Sequence, residues 1–208
     1  EGATRPFLDL WFKNENEGFI VGGFGLILHT LDGGDKWTPW FEHIKNLDLF
    51  SFNAITHING QLFIAAEAGN LYRSDDNGQQ WTLLTSPYEG SFFGINSIGK
   101  TGVIAFGLRG NAYVSADKGE SWVKVDTGVE ASLFASTQLD NGSSVVVGAG
   151  GVMLFIDANG KLLNTKHHPR KFPISAIITG ENDNLLTVGF GGIQKVERLT
   201  ATAEQSHD

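Results

Sequence analysis

Thr30-Leu31-Asp32-Gly33-Gly34-Asp35-Lys36-Trp37 carries the pattern Ser/Thr-x-Asp-x-Gly-x-x-Trp. The pattern returns as Ser74-Asp75-Asp76-Asn77-Gly78-Gln79-Gln80-Trp81 and as Ser115-Ala116-Asp117-Lys118-Gly119-Glu120-Ser121-Trp122. A fourth, eroded copy, Ile156-Asp157-Ala158-Asn159-Gly160-Lys161-Leu162-Leu163, keeps the glycine but has Ala158 at the aspartate position, an aspartate one place earlier at Asp157, and neither the hydroxyl nor the tryptophan. The aspartate position of the box moves from 32 to 76 to 117 to 158, in steps of 44, 41 and 41 residues, and is filled by Ala158 in the eroded fourth copy. A fixed step of this length marks a repeated supersecondary unit that buries its apolar faces by stacking on its neighbours.

Three short apolar runs precede each copy and one follows it. In the first unit they are Phe7 to Phe12, Phe19 to Gly23, Leu26 to Thr30, and Trp37 to Trp40. Each run has strand length, and Gly and Asn punctuate the gaps, so a helical repeat fails for lack of 3.6-residue spacing. The units span about 7–41, 52–84, 93–125, 132–164 and 174–197. The fifth has three runs, with no box and no fourth strand. The expected fold is all-β: a β-propeller with five four-stranded units visible and the last incomplete, forming a single domain over 1–200 with a tail at 201–208. Either five blades close a loose ring, or residues upstream of Glu1 carry further blades and the chain is a fragment of a larger propeller.

Composition narrows the function. The 208 residues include 27 Gly, 5 Pro and no Cys, and 41% are hydrophobic, which suits a folded chain rich in tight turns. A net charge of -8 argues against a nucleic-acid surface, which needs a lysine and arginine excess. Without cysteine there is no disulfide framework, thiolate metal site or cysteine nucleophile. No apolar run is long enough to span a membrane, and the start at Glu1 without a leader is expected of a processed product or a fragment.

The boxes read as structure rather than chemistry. Thr30, Ser74 and Ser115 supply a hydroxyl, and Asp32, Asp76 and Asp117 accept backbone N–H bonds. Gly34, Gly78 and Gly119 permit positive φ, while Trp37, Trp81 and Trp122 pack between blades. The three aspartates lie in separate blades and cannot share an ion, so no metal site and no cofactor are expected. In a four-stranded meander the 1–2 and 3–4 turns share one face and the 2–3 turns lie on the other. That second face collects Phe24, Glu67, Arg109 and Phe190, with Tyr88 and Phe92 on the connection between the second and third units. It is the expected binding face: Arg109 offers a charged fork, Glu67 an acceptor, and the aromatics buried area.

An enzyme is weighed against this. A sialidase-like site needs three arginines around a carboxylate, yet of Arg5, Arg73, Arg109, Arg170 and Arg198 only Arg109 sits on a 2–3 turn. A two-carboxylate glycosidase needs a paired acid and base. Glu67 is the best-placed carboxylate, with Asp48 and Glu89 on nearby connections, but spacing forces no pair, and no catalytic residue is assigned. His29 and His57 read as packed or edge side chains. His167 and His168 read as part of a solvated basic loop, since adjacent residues on an extended segment point apart.

The three boxes, together with Arg5-Pro6-Phe7-Leu8-Asp9-Leu10-Trp11-Phe12, Ser86-Pro87-Tyr88-Glu89-Gly90-Ser91-Phe92-Phe93-Gly94 and Gly107-Leu108-Arg109-Gly110-Asn111, resemble the Ycf48-like Asp-box (BNR) repeat propellers. Within them they look like the exported bacterial members, often labelled photosystem II assembly-like or glycosyl hydrolase-like. The resemblance covers nearly the whole chain. It implies a non-catalytic propeller, periplasmic or otherwise exported, acting as a protein-binding scaffold or assembly factor for an envelope or membrane complex. Loss of the box in the fourth and fifth units departs from the pattern at the ring closure, and the acidity departs from the arginine-rich patch of photosynthetic members. The alternative is a carbohydrate-active propeller, either a glycoside hydrolase or a sugar-binding module.

Overall fold

The computed structural model describes residues 5–180 and 184–196. The expected tail at 201–208, and residues 197–200, lie outside the described residues. The fold is a β-propeller of five antiparallel sheets, each a meander in which sequence neighbours pair. Blade 1 contains β1 (Phe7–Phe12), β2 (Gly18–Gly22), β3 (Ile27–Thr30) and β4 (Thr38–Pro39), and blade 2 contains β5 (Phe52–Ile58), β6 (Gln61–Ala66), β7 (Leu71–Ser74) and β8 (Thr82–Leu83). Blade 3 contains β9 (Phe92–Ile98), β10 (Gly102–Gly107), β11 (Ala112–Ser115) and β12 (Val123–Lys124). Blade 4 contains β13 (Leu133–Gln138), β14 (Ser144–Gly148), β15 (Val152–Ile156) and β16 (Leu162–His167). Blade 5 contains β17 (Ile174–Thr179), β18 (Leu185–Gly189) and β19 (Gly192–Val196). Among the described residues no helix is long and apolar enough to cross a membrane.

Each box closes the 3–4 turn through bonds that span two to four residues. Ser74 Oγ donates to Asp76 Oδ1 (2.8 Å) and accepts from Gly78 N (2.8 Å), while Asp76 Oδ1 also accepts from Gln80 N (2.9 Å). Thr30 with Asp32 and Ser115 with Asp117 repeat this wiring. The glycines hold φ of 97°, 84° and 88°, a region other residues avoid. In blade 4 Ala158 fills the box aspartate position and the buried Ile156 the hydroxyl position, and the loop is held instead by Asp157, one place earlier, whose Oδ1 accepts from Asn159 N and Lys161 N. There β16 runs for six residues, so His167, expected in a loop, belongs to a strand with Lys166 and extends the fourth unit past 164.

First strands stand side by side around the axis and are stitched across blades. Asp9 Oδ2 accepts from Ile55 N (2.9 Å), Asn53 Nδ2 donates to Phe92 O (2.8 Å), and Asn96 Nδ2 donates to Ser136 O (3.2 Å). Apolar clusters fill each gap, and the box tryptophans join them: Trp81 packs with Phe19 and Val21 of blade 1, and Trp122 packs against the cluster between blades 2 and 3. Trp37 does not behave so. No described blade precedes blade 1, and Trp37 stays half-buried, edge-on to Phe12 of its own blade at 6.0 Å.

The arc is open at both ends. By strand register Leu10 corresponds to Ile55, Ile95 and Ile177. Those three are at most 5% exposed, whereas Leu10 is 59% exposed. Val188 of blade 5, 44% exposed, corresponds to Val21 and Val147, both fully buried. Blade 5 therefore does not cover blade 1, and the described blades form no closed five-bladed ring.

The box wiring makes two predictions. Ser74→Ala leaves the Gly78 N–H without its acceptor and should cost about 1–3 kcal/mol in a denaturant titration. Asp117 is held down to about 2 by bonds from the Ser121 hydroxyl, the Ser121 N–H and Ser115. A carboxylate lowered on folding contributes stability that is present above about pH 4 and is lost as pH falls through its folded value. Asp117→Asn should therefore flatten the acid limb of the stability profile and leave the neutral-to-alkaline limb parallel to wild type.

Candidate functional site

The 2–3 turns gather on the face opposite the boxes, and the chain clamps each of them. In blade 3, Gly107 lies against Ser91 O and Gly110 against Val129 O, so a Cβ at either position would overlap backbone. Between those glycines the turn is a short 3₁₀ segment whose middle residue is left-handed: Phe24 (φ 55°) in blade 1, Arg109 (φ 56°) in blade 3 and Gly150 (φ 63°) in blade 4. Ala68 (φ 52°) occupies the corresponding turn of blade 2. Glycine adopts this conformation freely, whereas a bulky side chain strains in it. Blade 4 takes the relaxed solution; blades 1 and 3 carry a phenylalanine and an arginine instead.

Both strained side chains face solvent. Phe24 is 58% exposed, held by its backbone alone: its carbonyl accepts from Arg5 Nη1 (3.1 Å) and its N–H donates to Ser51 Oγ (3.4 Å). The Arg109 side chain is exposed and has no hydrogen-bond or ion-pair partner among the described residues, while its carbonyl accepts from Asn111 Nδ2. Phe190 is 80% exposed on the tighter blade 5 turn, its ring edge-on to Phe172 at 5.2 Å.

Glu67 and Tyr88 sit on this face but are already engaged. Glu67 Oε2 accepts from Ser51 N (2.8 Å), and Ser51 thus joins the Glu67 and Phe24 turns. Tyr88 is half-buried, its hydroxyl donating to Leu108 O (3.3 Å) beside Arg109 and its ring against Tyr113. Phe92, expected on the binding face, is a correction. It opens β9 inside the core between blades 2 and 3, fully buried against Tyr88 and Tyr113, and offers nothing to a partner.

Two residues on this face escape a sequence reading. Leu49 is left-handed (φ 54°), exposed, and packed beside Gly25 next to Phe24; Leu47 on the same connection is also exposed. Their trace in the sequence is the apolar Leu47, Leu49 and Phe50 in a segment with no strand partner. His168, paired with His167 in the sequence, turns inward to stack on Phe172, and its Nδ1 accepts from Arg170 N. Among the described residues no group of three or more histidines and carboxylates is placed to hold a metal.

A family model described as photosynthesis system II assembly factor YCF48 matches residues 3–194. The chain belongs to that family. A curated relative, the photosystem II assembly lipoprotein Ycf48 of Synechococcus sp. (strain CC9902), is 31% identical over 103 residues, which are 49% of this chain and 31% of that protein. Among solved structures, YCF48 bound to D1 peptide superposes with a TM-score of 0.73 at 20% identity, over 94% of this chain and 64% of that one. YCF48 from Cyanidioschyzon merolae gives 0.68 at 19% identity, over 96% and 69%. A virginiamycin B lyase from Staphylococcus aureus gives 0.75 at 14%, over 95% and 71%, a likeness of fold alone. The chain thus spans about two thirds of these structures and aligns to under a third of the YCF48 lipoprotein.

Strain at the two turns and the packing of Phe92 predict opposite effects on stability. Phe24→Gly and Arg109→Gly should leave stability unchanged or raise it by up to about 1 kcal/mol, since glycine removes the left-handed penalty. Phe92→Ala should cost about 3–5 kcal/mol by emptying a core site. Thermal melts of the three variants check both expectations.

Proposed function

We propose that this YCF48-family chain is a non-catalytic assembly factor that holds a polypeptide segment of a membrane-protein complex on the 2–3 turn face. Phe24, Leu49 and Phe190 supply apolar contact, and Arg109 supplies a charged fork for a carboxylate or backbone carbonyl. Tyr88 braces the Arg109 turn, and Glu67 braces Ser51 beneath Phe24. The observation that carries the reading is the pair of bulky left-handed side chains, exposed where the fold accepts glycine. Strain without a packing return is characteristic of a binding surface. The family assignment supports a role in assembly, and the peptide-bound YCF48 structure supports a polypeptide as the ligand class.

The lipoprotein relative supports a location outside the cytoplasm, periplasmic or equivalent, and an envelope or membrane complex as the partner. The carbohydrate-active alternative receives less support, because the best-placed carboxylate, Glu67, is committed to Ser51 N.

The test is binding to a peptide array covering the soluble loops and tails of membrane-complex subunits. Phe24→Gly and Arg109→Gly should each weaken a binding peptide about tenfold or more while melting no lower than wild type. Unchanged binding in both variants would place the site elsewhere.

A further inference from the structure

We propose that the stacked rings of Phe19, His29, Trp40 and His43 form an acid-sensitive latch that fastens the segment between blades 1 and 2 to the second box. The proposal concerns how the candidate face is held and rests on the binding reading only for its consequence there. His29 on β3 is 4% exposed, with its ring 4.5 Å from Phe19 and 4.4 Å from Trp40. Trp40 stacks in turn on His43 at 3.8 Å, nearly parallel.

The far end of the column is bonded to blade 2. Trp40 Nε1 donates to Gly78 O (2.7 Å), and Trp81 N donates to His43 O (3.2 Å). His43 Nδ1 lies 2.7 Å from Gln79 O; a carbonyl only accepts, so Nδ1 carries the proton. Gly78 rests on the Phe19 ring, which closes the contact between the column and the box. The same segment runs on past Leu47 and Leu49 to Ser51, the residue that holds the Phe24 and Glu67 turns. What loosens Trp40 and His43 therefore slackens the support of the candidate face.

His29 is the group able to loosen it. Its Nε2 is buried without a hydrogen-bond partner, and the nearest charge is Glu17 Oε1 at 3.6 Å, while Glu17 Oε2 is held by Lys13 at 2.8 Å. Glu17 and Lys13 from the first turn of blade 1, and His43 from beyond Trp40, are the titratable groups that face it. Its strand neighbours Phe19 and Thr38, and Gly78 and Gln79 of the second box, carry no charge. Burial holds His29 below the ordinary histidine range; Glu17 pulls against that, and His43 and Lys13 reinforce it. In an opened latch the imidazole regains its ordinary value near 6.5. The open form then binds the proton more tightly than the closed form. Closure is full above about pH 6.5 and weakens as pH falls toward the depressed closed-state value.

The test is amide hydrogen exchange at pH 7.5 and 5.0, corrected for the intrinsic pH dependence, on wild type, His29→Phe and Glu17→Gln. In wild type the amides of Trp40, His43, Ile44 and Trp81 should open more at pH 5.0, by up to about tenfold for each unit by which the closed state depresses His29, with β9 to β11 unaffected. His29→Phe should abolish the response. Glu17→Gln should enlarge it, because the carboxylate that steadies a protonated His29 is gone. A wild type without acid opening, or a His29→Phe protein that keeps it, overturns the latch. If His29→Phe does not fold, an unchanged or smaller response in Glu17→Gln overturns it as well. The readout needs no partner, so its outcome is independent of whether the face binds one.

Discussion

A blade with apolar side chains on both faces has to be covered on both sides, and this constraint orders the whole molecule. Where a neighbour is present, the covered positions of the first and second strands are almost fully excluded from water. Where none is present, the same positions stand open, as Leu10 and Val188 do at the two ends of the arc. Burial of such side chains contributes about 1.5–3 kcal/mol each, so stacking rather than hydrogen bonding within a blade supplies most of the driving force. The boxes serve the stacking by turning the chain tightly enough to insert Trp81 and Trp122 between blades.

That division of labour leaves the two faces with different chemistry. On the box face the polar groups are spent on one another: hydroxyl to carboxylate, carboxylate to N–H, glycine in the left-handed corner. On the opposite face the turns are pinned by backbone crowding around glycines, and the residue between them is free to vary. Gly150, Ala68, Phe24 and Arg109 fill that position in four blades, from no side chain to a long cationic one. The framework fixes where these side chains are held without dictating what they are, which is the arrangement expected of a binding scaffold.

The fold was legible because its signals are local. The box hydroxyl, aspartate and glycine interact within four residues of one another, so their spacing in the sequence is their spacing in the loop, and the 41-residue step follows from repetition. The face that carries the 2–3 turns, the proposed binding face, was legible in outline, but which of its side chains stand exposed was not. Phe92 reads as exposed because it follows a Ser, Glu and Gly stretch, and only the packing of blade 3 on blade 2 buries it. The left-handed backbone of Phe24 and Arg109 is invisible to residue type, since neither favours it; alignment with Gly150 in the turn is the one hint. Leu49, and the column built on His29, depend on contacts between separate segments, which periodicity does not encode. The loss of hydroxyl, aspartate and tryptophan in the fourth box was plain in the sequence, but its accommodation by Asp157 and a six-residue β16 was not.

The most direct measurement is the backbone amide footprint of a bound partner peptide on the isotope-labelled chain. The account predicts perturbations on the turns at 23–25, 67–69, 108–110 and 190–191 and on the connection at 47–51, with the boxes at 32–36, 76–80 and 117–121 silent. A footprint centred on the boxes, or on the 1–2 turns that share their face, would contradict it.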